Sequence, residues 1–138
     1  MEVAAPPGRV WDALVRWLER PSSAVAERGA AVLGCEPRTT TGKAGEEGST
    51  IVGFGVERSV PPAELLLAGR HRFSRYSLQF LIDDLGAGRS RLRAVTRAEF
   101  PGVAGRAYRA LVIGTRLHVV AVRSILAGVR TRAENGGR

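Results

Sequence analysis

Residues 75–99 have the sequence RYSLQFLIDDLGAGRSRLRAVTRAE, in which polar and apolar side chains alternate on both sides of a Gly-Ala-Gly turn. Side chains two residues apart share one face of a β-strand, so each half predicts a strand with one apolar face. In the first half that face comprises Tyr76, Leu78, Phe80 and Ile82. In the second half, arginines at positions 89, 91, 93 and 97 share the polar face, opposite Leu92, Ala94, Thr96 and Ala98. The pattern is typical of an antiparallel sheet with one buried face.

The segments before this hairpin predict two short helices and further strands. Pro6-Pro7 starts an amphipathic helix that ends before Pro21, and a second short helix is expected at about Ala26–Ala31. The apolar run Ile51–Val56 predicts one strand, and Leu65 begins another.

A long helix is predicted from Gly102 to about Val129, because the period of apolar residues changes after Pro101. One stripe at steps of three and four residues comprises Tyr108, Leu111, Thr115, His118, Val122, Ile125 and Val129. Small residues recur every seven positions beside it and would let another surface approach the helix backbone: Ala107, Gly114, Ala121 and Gly128. The apolar sheet face is the partner large enough for this helix, so the fold class is α+β.

Length and composition indicate a single domain over residues 1–133, followed by a flexible tail at 134–138. The single cysteine, Cys35, allows no intrachain disulfide and is interpreted as a small hydrophobe. With His71 and His118 it gives no zinc-binding spacing, so we expect no metal and no other cofactor. The chain starts with neither a basic nor an apolar leader segment, so we expect a cytoplasmic protein.

The formal net charge of +8 comes almost entirely from arginine, which could attract nucleic acid or anionic lipid. We expect no nucleic-acid partner, because RNA-binding signatures are absent and aromatic residues make up 6% of the chain. Arg116, His118 and Arg123 interrupt the apolar part of the long helix, which argues against a transmembrane segment. The outward Ile113, Leu117 and Val120 leave a homodimer contact or a membrane-surface contact open.

The order of these elements, with the opening VAAPPGRVWDAL at residues 3–14, resembles the START-like SRPBCC superfamily. That superfamily includes polyketide cyclases/dehydrases, lipid-transfer domains and birch-pollen-allergen-like plant proteins. The segments GRHRFSRY at 69–76, FPG at 100–102 and YRALVIG at 108–114 are similar to a subgroup of its bacterial members. The resemblance covers about residues 2–130. It implies a helix-grip fold, in which a curved antiparallel sheet of about six strands wraps around the long C-terminal helix.

The resemblance also implies that a small hydrophobic molecule, lipid or polyketide-like, binds in a cavity between sheet and helix. The cavity would be lined by strand residues and by the helical stripe: Phe54, Tyr76, Leu78, Phe80, Tyr108, Leu111, Thr115, His118 and Val122. Residues near a predicted hairpin would lie at its mouth, where an arginine could pair with an anionic head group: Arg70, Arg72 and Phe73. The alternative for all of these is ordinary packing or a solvated turn, since apolar pockets and cores use the same side chains.

Two further functions remain open. The motifs of common hydrolases, metalloproteases and nucleotide-binding proteins are absent, so catalytic residues are not assigned. Enzymes of the resembled superfamily use scattered pocket residues, and a cyclase/dehydrase could use His118 with Tyr76 or Tyr108. The third hypothesis is an interaction module that acts through its arginine-rich surface.

Overall fold

In a computed structural model the chain is α+β, which confirms the predicted fold class. The structure describes residues 1–20, 28, 31–32, 34–37, 41–51, 54–71, 74–100, 102–115 and 117–136, without the side chains of 111–118. The strands are β1 (Glu2–Val3), β2 (Thr50–Ile51), β3 (Phe54–Val60), β4 (Glu64–His71), β5 (Ser74–Gly86) and β6 (Arg89–Glu99). Within these residues the helices are α1 (Pro7–Leu18), α2 (Gly102–Thr115) and α3 (Leu117–Asn135).

The six strands form one antiparallel sheet in the order β1-β6-β5-β4-β3-β2. The strand number agrees with the expected six. In the β5–β6 ladder Phe80 lies opposite Ala94 and Ile82 opposite Leu92. We call the face that carries Phe80 the inner face and the opposite one the outer face. The β6 arginines are exposed while Leu92 is fully buried, as the alternation predicts, but Thr96 and Ala98 at the other end of the same face are exposed.

The hydrophobic core lies between the inner face of the sheet and the helices α1 and α3. Its fully buried side chains come from both layers: Val10, Leu14, Leu65, Leu67, Phe80, Leu92 and Val129. On the predicted C-terminal stripe, Val122 and Ile125 are half-buried and Val129 is fully buried. The helix continues past Val129 to Asn135, and the Glu134 carboxylate accepts a hydrogen bond of 3.1 Å from the backbone N–H of Ala4. Residues 134 and 135, expected in the tail, therefore belong to α3.

One predicted strand is wrong, and one predicted helix lies largely outside the described residues. The single strand predicted at Ile51–Val56 is wrong, because β2 and β3 are antiparallel neighbours with Thr50 opposite Gly55. An unbroken apolar run carries no periodic signal for the reversal of the chain. The second short helix expected at 26–31 lies largely outside the described residues. The C-terminal helical region is described as α2 and α3 on either side of residue 116, which is also outside them.

Candidate functional site

Five ring side chains meet at the end of the inner face farthest from α1, and we call them the aromatic cluster: Phe54, His71, Tyr76, Phe100 and Tyr108. The ring centroids of Phe54 and Tyr76 are 5.1 Å apart at an interplanar angle of 73°. Those of His71 and Tyr108 are 4.8 Å apart at 76°. Both pairs are edge-to-face, the arrangement that the quadrupoles of aromatic rings favour. The cluster joins three central strands to α2.

Gly69 leaves room for the rings of Phe54 and Tyr76 to touch. It lies directly opposite Tyr76 in the β4–β5 ladder, and the pairing of Gly55 with Ala68 puts Phe54 in line with it from the other side. Glycine has no side chain to occupy the space between these neighbours. The two rings therefore meet across the middle strand, on the inner face.

Polar side chains surround His71 and Tyr76. The residue after Cys35, Glu36, exchanges two backbone hydrogen bonds with Arg70, of 2.7 and 3.1 Å. Cys35 is 8% exposed, and its side chain is a hydrogen-bond partner of Tyr76. The Nε2 atom of His71 lies 2.9 Å from the Ser74 hydroxyl. The Cys35 thiol and the Ser74 hydroxyl thus lie beside the aromatic cluster.

Burial keeps the titratable groups of the cluster neutral. It raises the pKa of Tyr76 well above the usual value of 10.0, and the hydrogen bond to Cys35 and the nearby Cys35 and Tyr108 groups raise it further. Burial also raises the pKa of Tyr108, with a smaller contribution from Cys35. Burial lowers the pKa of His71 below 6.5. At neutral pH both phenols are therefore protonated and the imidazole is uncharged.

The inner face is not covered evenly. Near α1 it is part of the core, whereas Thr96 and Ala98, which continue the inward-facing series of β6, are exposed. Ala98 lies opposite Tyr76 and Thr96 opposite Leu78. The exposed strip therefore adjoins the aromatic cluster, and it offers a surface on which a ligand could lie against ring faces and small side chains.

The structure places the predicted pocket residues in three groups. Phe54, Tyr76 and Tyr108 come together in the aromatic cluster. Leu78 and Phe80 lie farther along the inner face in the core, and Val122 is half-buried on α3. The remaining pocket residues, whose side chains are not described, are Leu111, Thr115 and His118.

Among the predicted mouth residues, Arg70 lies on the outer face. Its guanidinium forms an ion pair of 2.6 Å with Glu36, and both side chains are exposed. Arg72 and Phe73 lie outside the described residues.

Cys35 and Ser74 were not among the residues predicted to line the pocket. Ser74 could have been predicted beside the cluster, because it precedes Tyr76 by two residues and residues two apart share a strand face. No sequence signal pointed to Cys35, because its position depends on the pairing of Glu36 with Arg70, and these two residues are far apart in the chain.

The outer face of the sheet carries the strand arginines, and acids neutralise much of their charge. Arg93 pairs with Asp83 at 2.9 Å, and Arg89 pairs with Glu2. Arg93 and Asp83 lie on neighbouring strands, so their pairing could not be identified without the register.

Other kinds of site need a long apolar helix or a cluster of metal-ligating side chains, and the described residues show neither. Within them no helix is long and apolar enough to cross a membrane. Nor do three or more His, Cys, Asp or Glu side chains gather there into a group that could hold a metal ion.

Comparisons with known proteins give a structural likeness and no family. No family model matches the chain, and no curated protein matches it. A conserved protein from Geobacillus kaustophilus is similar with a TM-score of 0.49 and 15% identity, over 99% of this chain and 90% of that one. CalU16 from Micromonospora echinospora is similar with a TM-score of 0.49 and 14% identity, over 98% of this chain and 81% of that one. At this level neither structure identifies an activity for this chain.

Proposed function

We propose that the chain binds a small hydrophobic molecule, lipid or polyketide-like, between the inner sheet face and the C-terminal helix. The arrangement would be a START-like helix grip. The observation that carries this proposal is the position of the aromatic cluster, next to the part of the inner face where Thr96 and Ala98 are exposed. A ligand on this strip would remove apolar surface from water, which is favourable by about 25 cal/mol for each Å² buried.

The protonation states of the cluster support an uncharged ligand. Two protonated phenols and a neutral imidazole provide hydrogen bonds without a fixed charge. Burying a charged group beside the rings of Phe54 and Tyr76 would be costly, because no opposite charge in the cluster compensates it. A mainly apolar molecule with one or two oxygen atoms fits these groups best.

The two other functions have less support. The cyclase/dehydrase hypothesis depends on His118, whose side chain is not described, so it stays a prediction. The interaction-module hypothesis depends on a positive outer face, and the ion pairs of Arg70 and Arg93 reduce that charge.

Native and denaturing mass spectrometry of the purified protein would test the proposal first, because a retained ligand would appear as an adduct lost on denaturation. Binding of the neutral dye Nile red would then be measured by fluorescence. We expect Phe54→Ala to weaken dye binding by about tenfold, the effect of losing one buried aromatic contact. Val60→Ala, on the exposed end of the same strand, is the matched control.

Tyr76→Phe keeps the ring and removes the hydroxyl, so it separates stacking from hydrogen bonding without opening a cavity. Retained dye binding in this variant, with loss in Phe54→Ala, would support the apolar strip as the site. The proposal would be overturned by a protein with no adduct and no dye binding, or by equal binding in Phe54→Ala and the wild type.

A further inference from the structure

A cleft of about 400 Å³ lies between α1 and the end of α3, away from the aromatic cluster, and we call it the basic cleft. It is lined by Arg9, Asp12, Ala13, Arg16, Arg132 and Gly136. We propose that the basic cleft binds a phosphate group. This inference is independent of the proposed hydrophobic ligand.

The spacing of the α1 residues puts their side chains on the cleft side of the helix. Arg9, Asp12 and Arg16 are three or four residues apart, so they form one row along the surface of α1. The opposite row of α1, with Val10 and Leu14, is fully buried in the core. Packing of the core therefore fixes the direction in which the two arginines project.

Stabilisation of the helix does not explain Arg9. It lies in the first turn of α1, which contains no acidic residue. The positive end of the helix dipole disfavours a cation there. A bound anion at this position would remove the unfavourable interaction.

Apart from Asp12, the acids near the three arginines in sequence have other partners. The Glu19 carboxylate accepts a hydrogen bond of 3.2 Å from the backbone N–H of Ala44. That of Glu134 accepts hydrogen bonds from the Ala4 N–H and from Arg130, each of 3.1 Å. Among the described residues that line the cleft, Asp12 is the single carboxylate.

The three cleft arginines therefore outnumber the acid. In the described part of the chain, none of the guanidiniums of Arg9, Arg16 and Arg132 forms an ion pair. This distinguishes them from the arginines of the outer sheet face, of which Arg70 and Arg93 are paired.

Trp17 orients one of the three arginines. The guanidinium carbon of Arg132 lies over the Trp17 ring at 5.7 Å from its centroid, and that of Arg20 lies at 3.2 Å. Cation–π attraction limits the positions that the Arg132 side chain can take. A guanidinium that is held in place loses less conformational freedom when it binds an anion.

The chemistry of the basic cleft fits a phosphate monoester or diester. Guanidinium groups bind phosphate oxygens through paired, charge-assisted hydrogen bonds. Three arginines and one aspartate give the cleft a formal charge of +2, which suits a small dianion. The same chemistry would hold a soluble phosphate or the phosphate of a lipid headgroup.

Isothermal titration with inorganic pyrophosphate at low ionic strength tests the basic cleft. The test variant is Arg9→Gln/Arg16→Gln/Arg132→Gln, and the control is Arg75→Gln/Arg97→Gln/Arg109→Gln. Both triple substitutions remove three positive charges, and all six arginines are exposed. We expect the test variant to bind at least about tenfold more weakly and the control to change by less than about twofold. Circular dichroism would verify that both variants are folded.

Sedimentation with vesicles of phosphatidylcholine, with and without phosphatidylglycerol, distinguishes the two sources of phosphate. Pyrophosphate binding that needs the cleft arginines would support a soluble ligand. Binding to phosphatidylglycerol vesicles alone, with the same dependence on the cleft arginines, would support a lipid headgroup. Equal weakening in both triple variants, or no binding to either probe, would overturn the proposal.

Discussion

The indole ring of Trp17 lies against the backbone of Gly128, so closely that a side chain at position 128 would overlap the ring. The contact joins α1 to α3 beside the core. Glycine is an unfavourable residue inside a helix, costing about 1 kcal/mol relative to alanine. Its place here is explained by the approach of Trp17. The small-residue row of the C-terminal helix had predicted an approaching surface, and at Gly128 that surface is Trp17.

Gly128→Ala is expected to lower the free energy of unfolding by about 1–3 kcal/mol, because the methyl group forces the indole ring to move. Helix propensity alone would raise the free energy of unfolding of this variant, because alanine is more favourable than glycine inside a helix. Urea unfolding followed by Trp fluorescence would measure the change. Gly8→Ala in α1, where a methyl group meets no atom within 4 Å, is the control and should not destabilise the protein. An unchanged or higher stability of Gly128→Ala would contradict the packing described.

Phe80→Ala is expected to cost about 3–5 kcal/mol of stability, the usual effect of removing a buried aromatic ring and leaving a cavity. Phe80 has 0% exposure and lies in the core between β4 and β6. Leu85→Ala in the same strand removes a side chain that is 38% exposed and should cost less than about 1 kcal/mol. Chemical unfolding of both variants would check this, and similar losses would place Phe80 outside the core.

The stability of the protein should fall below about pH 6.5 in a way that depends on His71. Burial lowers the pKa of His71 in the folded chain, so the unfolded chain binds the proton more readily. The neutral imidazole therefore favours folding fully above the unfolded pKa, and this contribution is lost as the pH falls from that value through the lower pKa of the folded chain. Unfolding free energies between about pH 7.5 and pH 5.5 should decrease more for the wild type than for His71→Gln. Parallel curves would show that burial of His71 has no such effect.

Both tyrosines should ionise above the usual pKa of 10.0, since burial raises the pKa of Tyr76 and of Tyr108. Cys35→Ala removes the electrostatic and hydrogen-bonding effects of Cys35, both of which raise the pKa of Tyr76, so the pKa of Tyr76 should decrease. Ser74→Ala, which changes the partner of His71 and not that of Tyr76, is the control. Tyrosine ring resonances followed by NMR against pH would report each residue. No difference between Cys35→Ala and the wild type would exclude the Tyr76–Cys35 hydrogen bond.

Short-range patterns predicted the elements whose evidence lies within a few residues. Alternation in residues 75–99 gave β5 and β6 with the correct faces, and proline in the first turn gave the start of α1 at Pro7. The turn between β2 and β3 was missed because the surrounding residues are uniformly apolar. Periodicity within a segment reports which side is buried, and it does not report which segment will be its neighbour.

The candidate sites depend on such long-range neighbours. Phe54 and Tyr76 meet because Gly69 lies between them in the sheet, a relationship that follows from register alone. The basic cleft joins Arg9 and Arg132 from opposite ends of the sequence, because α1 packs on α3. The sequence identified Phe54 and Tyr76 as candidates without showing that they meet, and it did not single out Arg9 or Arg132.

The strand order has a consequence for how the protein behaves at high concentration. β1 pairs with Ser90 and Arg91 of β6, and Met1 exchanges two hydrogen bonds with the backbone of Leu92, so among the described strands the edge of β6 beyond Leu92 has no neighbour. An open edge is a template for the aggregation of sheets between molecules. Here the outer face of the edge carries Arg97, which forms no ion pair within the described part of the chain, and two such edges paired at this residue would place guanidinium groups near one another. Electrostatic repulsion therefore acts against fibril-like association along β6.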